Sequence, residues 1–370
     1  MQNKIEKLIF NLCPKGVEFK SIGEICQINR GRVMSKDYLK DNYGEYPVYS
    51  SQTADNGIFG RINTYDYEGE YLTWTTDGAY AGSIFYRNGK FSITNVCGLL
   101  KAKSNNINIK FLSYILATVS KNYVSAGMGN PKIMSNVMEK IRIPVPPIQV
   151  QEEIVKILNN FTELEAELEA ELEARKSQYK YYREKLLDFK NGVKFIDLGE
   201  IANIYTGQQL NRELLSEIGN CPVFNGGINP SGYYREFNTN ANTIAISQGG
   251  ASAGYVNFVT KNFWAGAHCF VVDPINSKII NRFLYFILKN GQDKLQNAKQ
   301  GAGIPGLNRR ELFNFKIPIL SIAEQEHIVS ILDKFDALVN DISIGLPAEL
   351  KARRQQYEYY RNKFLTFKEL

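Results

Sequence analysis

Ala174-Arg175-Lys176-Ser177-Gln178-Tyr179-Lys180-Tyr181-Tyr182-Arg183-Glu184-Lys185-Leu186-Leu187 returns near the end of the chain as Ala352-Arg353-Arg354-Gln355-Gln356-Tyr357-Glu358-Tyr359-Tyr360-Arg361-Asn362-Lys363-Phe364-Leu365, and nine of the 14 positions are identical. The match extends upstream. Phe19-Lys20-Ser21-Ile22-Gly23-Glu24-Ile25 pairs with Phe195-Ile196-Asp197-Leu198-Gly199-Glu200-Ile201, Gly31 with Gly207, and Tyr46-Pro47-Val48-Tyr49 with Cys221-Pro222-Val223-Phe224. Gly78-Ala79-Tyr80-Ala81-Gly82 pairs with Gly250-Ala251-Ser252-Ala253-Gly254, and residues 111–116 pair with 283–288. Ile143-Pro144 pairs with Ile317-Pro318, and Gln151-Glu152 with Gln325-Glu326. The chain is a tandem duplication with a period of about 180 residues. Solenoid units run about 20–50 residues, so these are two similar domains related by a pseudo-twofold.

Each repeat holds two kinds of sequence. The first part alternates short strand-like runs with Gly, Asn and Asp turns, as at Tyr71-Leu72-Thr73-Trp74-Thr75 and Thr243-Ile244-Ala245-Ile246. A short helix is predicted in each, over 110–120 and 281–289. The second part is helical. Pro144, Pro146 and Pro147 mark its start in the first copy, and Pro318 in the second. No Pro falls between Ile148 and Lys190, and Gly returns at Gly192, so the pattern predicts one helix over 148–190, about 65 Å long. Its apolar stripe is Ile154, Leu158, Phe161, Leu164, Leu168, Leu172, Tyr179, Tyr182, Leu186 and Phe189, mostly in steps of three or four. The second stripe is Ile328, Ile331, Leu332, Phe335, Leu338, Tyr357, Tyr360, Phe364 and Phe367, and Gly345-Leu346-Pro347 predicts a break in it. Solvated linkers rarely sustain such stripes. Residues 163–174 read Glu-Leu-Glu-Ala three times. Each unit adds about 6 Å and about 40° of rotation, so this segment reads as an adjustable ruler, too acidic to touch DNA.

The expected architecture is α+β: a tandem pseudo-twofold duplication, two mixed α/β domains joined by two long antiparallel coiled-coil helices. The expected domains are residues 1–147 and 191–320, and the helical regions are 148–190 and 321–370.

Composition narrows the function. Lys and Arg number 44 against 38 Asp and Glu, a net charge of +6. Six of those acids lie between Glu163 and Glu173, so the remainder is clearly basic. The five cysteines, Cys13, Cys26, Cys97, Cys221 and Cys269, are scattered without a CxxC pair, which argues against disulfides and zinc and suits a reducing compartment. There are two histidines: His268 reads as a core or loop residue and His327 as solvent-facing or interfacial. Apolar runs are too short to span a membrane, and residues 1–7 lack a signal-peptide core, so the expected location is the cytoplasm. Gly89-Lys90 is followed by Phe91 and not Ser or Thr, so it is no phosphate loop. No GxGxxG follows a strand, and no Asp/Asn-Pro-Pro-aromatic tetrapeptide of amino-methyltransferases is present. Asp341 with Glu349-Leu350-Lys351 mimics a nuclease pattern but falls in a helical region. No catalytic residue and no metal ligand is assigned.

What remains is a set of polar, Gly-rich loops in both halves. The plain alternative is ordinary turns. Against it, these loops carry the amides that read adenine edges and the cations that read guanine and phosphates. In the first half the candidate DNA-binding residues are Arg32, Lys36, Gln52, Asn56, Arg61, Thr76, Tyr80, Asn130 and Lys132. In the second they are Gln208, Arg212, Asn225, Asn229, Tyr233, Gln248, Ser252, Lys299, Gln300 and Arg309. The two sets differ where the frameworks match, as two readers of different half-sites would.

This layout resembles the specificity (S) subunit of type I restriction–modification systems over essentially the whole chain. The most specific residues are Ile143-Pro144-Val145-Pro146-Pro147 leading into Gln151-Glu152, Ile317-Pro318 leading into Glu324-Gln325-Glu326, and the Ala-Arg-x-x-Gln-Tyr-x-Tyr-Tyr-Arg blocks at 174–183 and 352–361. One departure is a second helical region four residues longer between Phe335 and Arg353 than between Phe161 and Arg175. The resemblance implies a non-catalytic DNA-recognition subunit of a Type I complex. Each target-recognition domain would read one half of a bipartite double-stranded site. It implies two modification (methyltransferase) subunits as partners, bringing S-adenosylmethionine for adenine methylation. It also implies restriction (translocase/nuclease) subunits that use ATP and Mg, so the chain itself would bind no cofactor. The candidate docking side is Tyr181, Arg183 and Lys185 with Tyr359, Arg361 and Lys363, opposite the Tyr179–Tyr182 seam. Two other readings compete: an enzyme in its own right, which would need a cofactor or metal motif, and a coiled-coil protein-binding scaffold without specific DNA binding.

Overall fold

Both repeats run from a short strand and a one-turn helix through further strands to a buried helix, one or two short helices, a closing strand and the helical region. The computed structural model describes residues 4–125, 129–189, 192–275, 277–298, 305–341 and 344–370. In chain order the first repeat runs α1 (Lys4–Leu12), β1 (Phe19–Ser21), α2 (Ile22–Ile25), β2 (Cys26–Arg30), α3 (Lys36–Asp41), β3 (Tyr46–Tyr49), β4 (Ile58–Ile62), β5 (Tyr67–Thr75), β6 (Ile84–Ile93), β7 (Cys97–Ala102), α4 (Ile109–Val119), α5 (Ser135–Met138), β8 (Arg142–Pro144) and α6 (Ile148–Leu186). The second runs β9 (Lys194–Asp197), α7 (Leu198–Ile201), β10 (Ala202–Thr206), β11 (Cys221–Phe224), β12 (Gly232–Tyr234), β13 (Thr243–Ser247), β14 (Val256–Val259), β15 (Trp264–Ala265), β16 (Cys269–Pro274), α8 (Asn281–Asn290), α9 (Gln292–Asn297), α10 (Arg309–Phe313), β17 (Lys316–Ile319), α11 (Ile322–Asn340) and α12 (Leu346–Leu365). Contacts divide the chain into one unit of Met1–Glu167 with Lys351–Leu370 and another of Leu168–Leu350.

In the first unit a six-stranded sheet has the order β2-β7-β5-β6-β3-β4. Phe91 and Ile93, near the end of β6, pack against Tyr71 of β5 and Leu99 of β7. One helix packs beneath the sheet. Phe111, Leu112, Ile115 and Leu116 of α4 join Leu72 and Trp74 of the sheet, Val150, Ile154 and Leu158 of α6, Ile5 of α1, and Phe364 and Leu365 of α12 in one core. In the second unit the sheets are β10-β16-β13-β14 and β12-β11-β15. There Phe283, Leu284 and Phe286 of α8 join Leu172 and Tyr179 of α6 and Ile328, Leu332 and Val339 of α11.

The repeated motifs have local causes. Ser21 caps α2 and exchanges hydrogen bonds with Glu24, and Asp197 and Glu200 do the same for α7. The bond from Ser21 holds the Glu24 carboxyl below the usual carboxylate range. A Cβ on Gly23 would lie 2.5 Å from Glu139, and one on Gly199 would lie 2.0 Å from Phe313, so α5 and α10 press on the same glycine in each copy. Ile143-Pro144 lies in β8, antiparallel to β1, and Ile317-Pro318 lies in β17, antiparallel to β9. These ribbons close each domain just before its long helix.

The helical regions carry the predicted break and a shorter first helix. α6 ends at Leu186, four residues before the predicted end, because Leu187 is buried and Phe189 meets the Phe283 ring at 6.4 Å. Packing, not a helix breaker, turns the chain there. In the first unit Phe161 stacks on Tyr360 and Glu165 pairs with Arg354 at 2.6 Å, so α12 runs antiparallel to this part of α6. In the second unit Tyr179 and Tyr182 stack on Phe335 of α11. Three positions of the expected stripes are exposed: Leu164 at 45 %, and Tyr182 and Leu338 each at 37 %, with Val339 buried beside the last. A four-residue repeat drifts by about 40° per unit, so three leucines cannot all stay on one seam. The cysteines are free thiols, and burial pushes those of Cys26, Cys97 and Cys269 up to about 12.

Candidate nucleic-acid interface

In the first unit separate loops converge through hydrogen bonds. Arg30, at the end of β2, donates to the Asn95 carbonyl at 3.1 Å and to the Thr76 hydroxyl at 3.2 Å. The Gly78 amide donates to the Pro131 carbonyl at 3.0 Å, and the Ile133 amide to that of Thr76 at 2.8 Å. Thr94 donates its hydroxyl to Ser50 at 2.9 Å, and the Ser50 amide bonds Gly57. Loops 30–32, 50–57, 76–80, 94–96 and 129–134 therefore share one patch. Gly31 sits at its base because a Cβ there would lie 2.0 Å from the Ile93 carbonyl oxygen.

The chosen residues fall into three groups. Tyr80 is 58 % exposed, and Asn130, Lys132 and Asn56 are exposed on the same loops. Gln52 is half-buried and donates to the Ile58 carbonyl. Arg32 is exposed, but its guanidinium donates to Tyr38 and Asp66, each at 3.1 Å; the Tyr38 bond, then that of Asp66, raises its pKa. Lys36 opens α3, and Arg61 lies on β4 donating to the Glu45 carbonyl at 2.8 Å. Thr76 does not face the surface as expected. It is 1 % exposed, and its hydroxyl donates to the Val96 carbonyl at 2.9 Å, which fixes the loop rather than a ligand.

The second unit repeats the scaffold with other side chains. The Thr76 amide bonds the Val96 carbonyl, and the Gln248 amide bonds that of His268. Gly78 bonds Pro131, and Gly250 bonds Pro305; Ile133 bonds Thr76, and Leu307 bonds Gln248. Gly207 shows the same close approach as Gly31, 2.0 Å from the Ala265 carbonyl oxygen. Asn225 accepts from the His268 amide at 3.1 Å, and Ser247 donates to the Gly227 carbonyl. Gln208 and Arg212 are exposed on the neighbouring loop, and Asn229 on the loop after β11. Tyr233 and Ser252 are half-buried. Arg309, at the start of α10, donates to the Ile204 carbonyl. Lys299 and Gln300 lie outside the described residues, as do parts of the loops at 126–128 and 299–304.

Sequence reasoning missed three residues here. Arg30 ties the first patch together, and His268 is exposed at the centre of the second. Arg30 precedes Gly31, a position matched between the repeats, and that adjacency was the available signal. Arg87 carried no such mark. It is 3 % exposed beneath loop 50–57, its guanidinium lies 3.6 Å from the Tyr49 ring centroid, and burial lowers its pKa.

On the helices, Tyr181 and Tyr359 are 58 % and 61 % exposed, and each meets the next tyrosine edge-on. Lys185 lies over the Tyr181 ring, and Lys363 pairs with Glu6 at 2.5 Å. Arg183 and Arg361 lie instead over the seam rings Tyr179 and Tyr357, each at 5.5 Å, and not on the side away from the seam. Among the described residues no helix is long and apolar enough to cross a membrane.

Residues 14–174 and 190–352 each match the family model described as the type I restriction modification DNA specificity domain. Over 359 residues the chain is 34% identical to a Mycoplasma pneumoniae protein named "Putative type I specificity subunit S.MpnORF507P", covering 94% of this chain and 96% of that one. The "Type I restriction enzyme MpnII specificity subunit" of the same organism is 44% identical over 172 residues, 45% of this chain and 52% of its own length. The crystal structure of the type I restriction–modification S subunit from M. genitalium has the same fold, with a TM-score of 0.69 at 20% identity over 95% of this chain and 96% of that one. The chain belongs to the type I restriction–modification DNA specificity family and carries its domain twice. It is a non-catalytic DNA-sequence specificity subunit with two target-recognition domains.

Proposed function

We propose that each unit reads one half of a bipartite double-stranded DNA site through its converged loops. The observation that carries this reading is the shared backbone scaffold with exchanged side chains: Thr76 beside Val96 in one unit, Gln248 beside His268 in the other. Two readers of different half-sites need a common frame and different side chains. Lys132, Arg32 and Arg212 supply cations for phosphates or guanine. Asn56, Asn130, Asn225, Asn229 and Gln248 supply amides for adenine edges.

The helices set the gap between the half-sites, with the Glu-Leu-Glu-Ala units as the adjustable length. They also dock two modification subunits. Tyr181 and Tyr359 are exposed at matched positions, with Lys185 over the first ring and Lys363 held by Glu6 near the second, which suits two copies of one partner. Those partners carry S-adenosylmethionine and methylate adenine. Restriction subunits add translocation and cleavage driven by ATP and Mg. The assembly acts in the cytoplasm, where the DNA is.

The test is to replace residues 15–145 with the same region of another specificity subunit and determine the methylated sequence. One half-site should change and the other should stay. A change in both halves would refute modular reading, and DNA affinity insensitive to salt would favour the scaffold alternative.

A further inference from the structure

Gln151 and Gln325 occupy the first turns of α6 and α11, and both are 0 % exposed. Each makes the same three hydrogen bonds. The Gln151 Nε2 donates to the carbonyls of Asn106 at 2.9 Å and Pro146 at 2.8 Å, and its Oε1 accepts from the Asn108 amide at 2.9 Å. The Gln325 Nε2 donates to the carbonyls of Lys278 at 2.8 Å and Leu320 at 3.0 Å, and its Oε1 accepts from the Ile280 amide at 2.8 Å. Asn108 and Ile280 are the N-caps of α4 and α8, the helices packed beneath the recognition sheets. One buried amide thus ties each long helix to the segment entering the recognition domain and to the proline-bearing segment before it.

Only a glutamine side chain of this length fits the donor and acceptor pattern. A glutamate cannot donate to two carbonyls, and an apolar residue leaves three buried backbone groups unpaired. Stability alone asks for some buried contact at this point. Three hydrogen bonds to two separate segments add direction to that contact, because they hold the first turn of the helix in one orientation.

We propose that Gln151 and Gln325 are positioning residues that fix the angle at which each recognition domain leaves its helix, so that gap-length specificity depends on the clamp as well as on helix length. This rests on the split-site reading above. The exposed neighbours Glu152 and Glu326 take no part in it.

The test uses the complete complex carrying Q151M, Q325M or the control E152Q, with methylation mapped across genomic sites. Wild type should methylate one split motif at one gap. In Q151M and Q325M both half-sites should persist. The preference for the native gap over gaps one base pair longer or shorter should fall about tenfold, the weight of one net hydrogen bond. E152Q should keep the native preference. Unchanged gap preference in both clamp variants would overturn the proposal. So would loss of folding, which would assign the glutamines to stability alone. If wild type itself gives no split motif, the reading beneath the proposal fails instead.

Discussion

Burial pushes the Lys289 ammonium down to about 8, with the Arg183 guanidinium adding to the shift and Asp336 opposing it. Its Nζ donates to the Val256 carbonyl and to Gln292, both at 2.9 Å, which ties α8 to β14. The folded value lies below the unfolded one, so the folded state sheds the proton first and stability rises with pH between about 8 and 10.5. Below 8 the whole cost of the buried charge is present. We expect the stability difference between K289M and the parent chain to change across pH 8 to 10, by up to about 1.4 kcal/mol per pH unit. Urea unfolding at several pH values checks this, and parallel curves would contradict it. At this scale the sequence was only partly legible. It marked the polar loops, because Gly and Asn turns are local signals. It could not tell Thr76, whose hydroxyl turns inward, from Tyr80, which faces water. It noticed Gln151 and Gln325 only as matched letters, since their partners are backbone atoms far away in sequence.

Helix periodicity exposed the elements better. The stripe placed Ile154, Leu158 and Tyr179 in the cores, and Gly345 and Pro347 located the break between α11 and α12. The stripe failed where the repeat changes step: Leu164 is open to solvent, while Phe161 three residues earlier stacks on Tyr360 with ring centroids 5.6 Å apart. The end of α6 was misjudged because the residues that stop it, Leu187 and Phe189, do so by packing on the second domain's core. These placements predict different costs. Phe161→Ala should destabilise by about 2–3 kcal/mol, since a half-buried ring leaves a smaller void than a core one. Leu164→Ala should stay within about 0.5 kcal/mol. Urea midpoints of the two variants measure the contrast, and equal shifts would mean that Leu164 also lies in the seam.

The duplication is the feature of the whole molecule that the sequence carried most fully. A second copy offers an internal comparison: what repeats is scaffold, and what differs is the reading surface. Gly31 and Gly207, the capped turns at Ser21 and Asp197, and the closing ribbons all recur because backbone segments touch at the same places. The recognised bases were not legible, because they depend on side chains that differ between the copies and on the shape of the DNA itself. The measurement that tests the central claim most directly is a map of adenine methylation in cells that express this chain with its modification subunit. The account predicts a single split motif, two short half-sites separated by a fixed gap. A stable complex that methylates DNA without any such motif would contradict it.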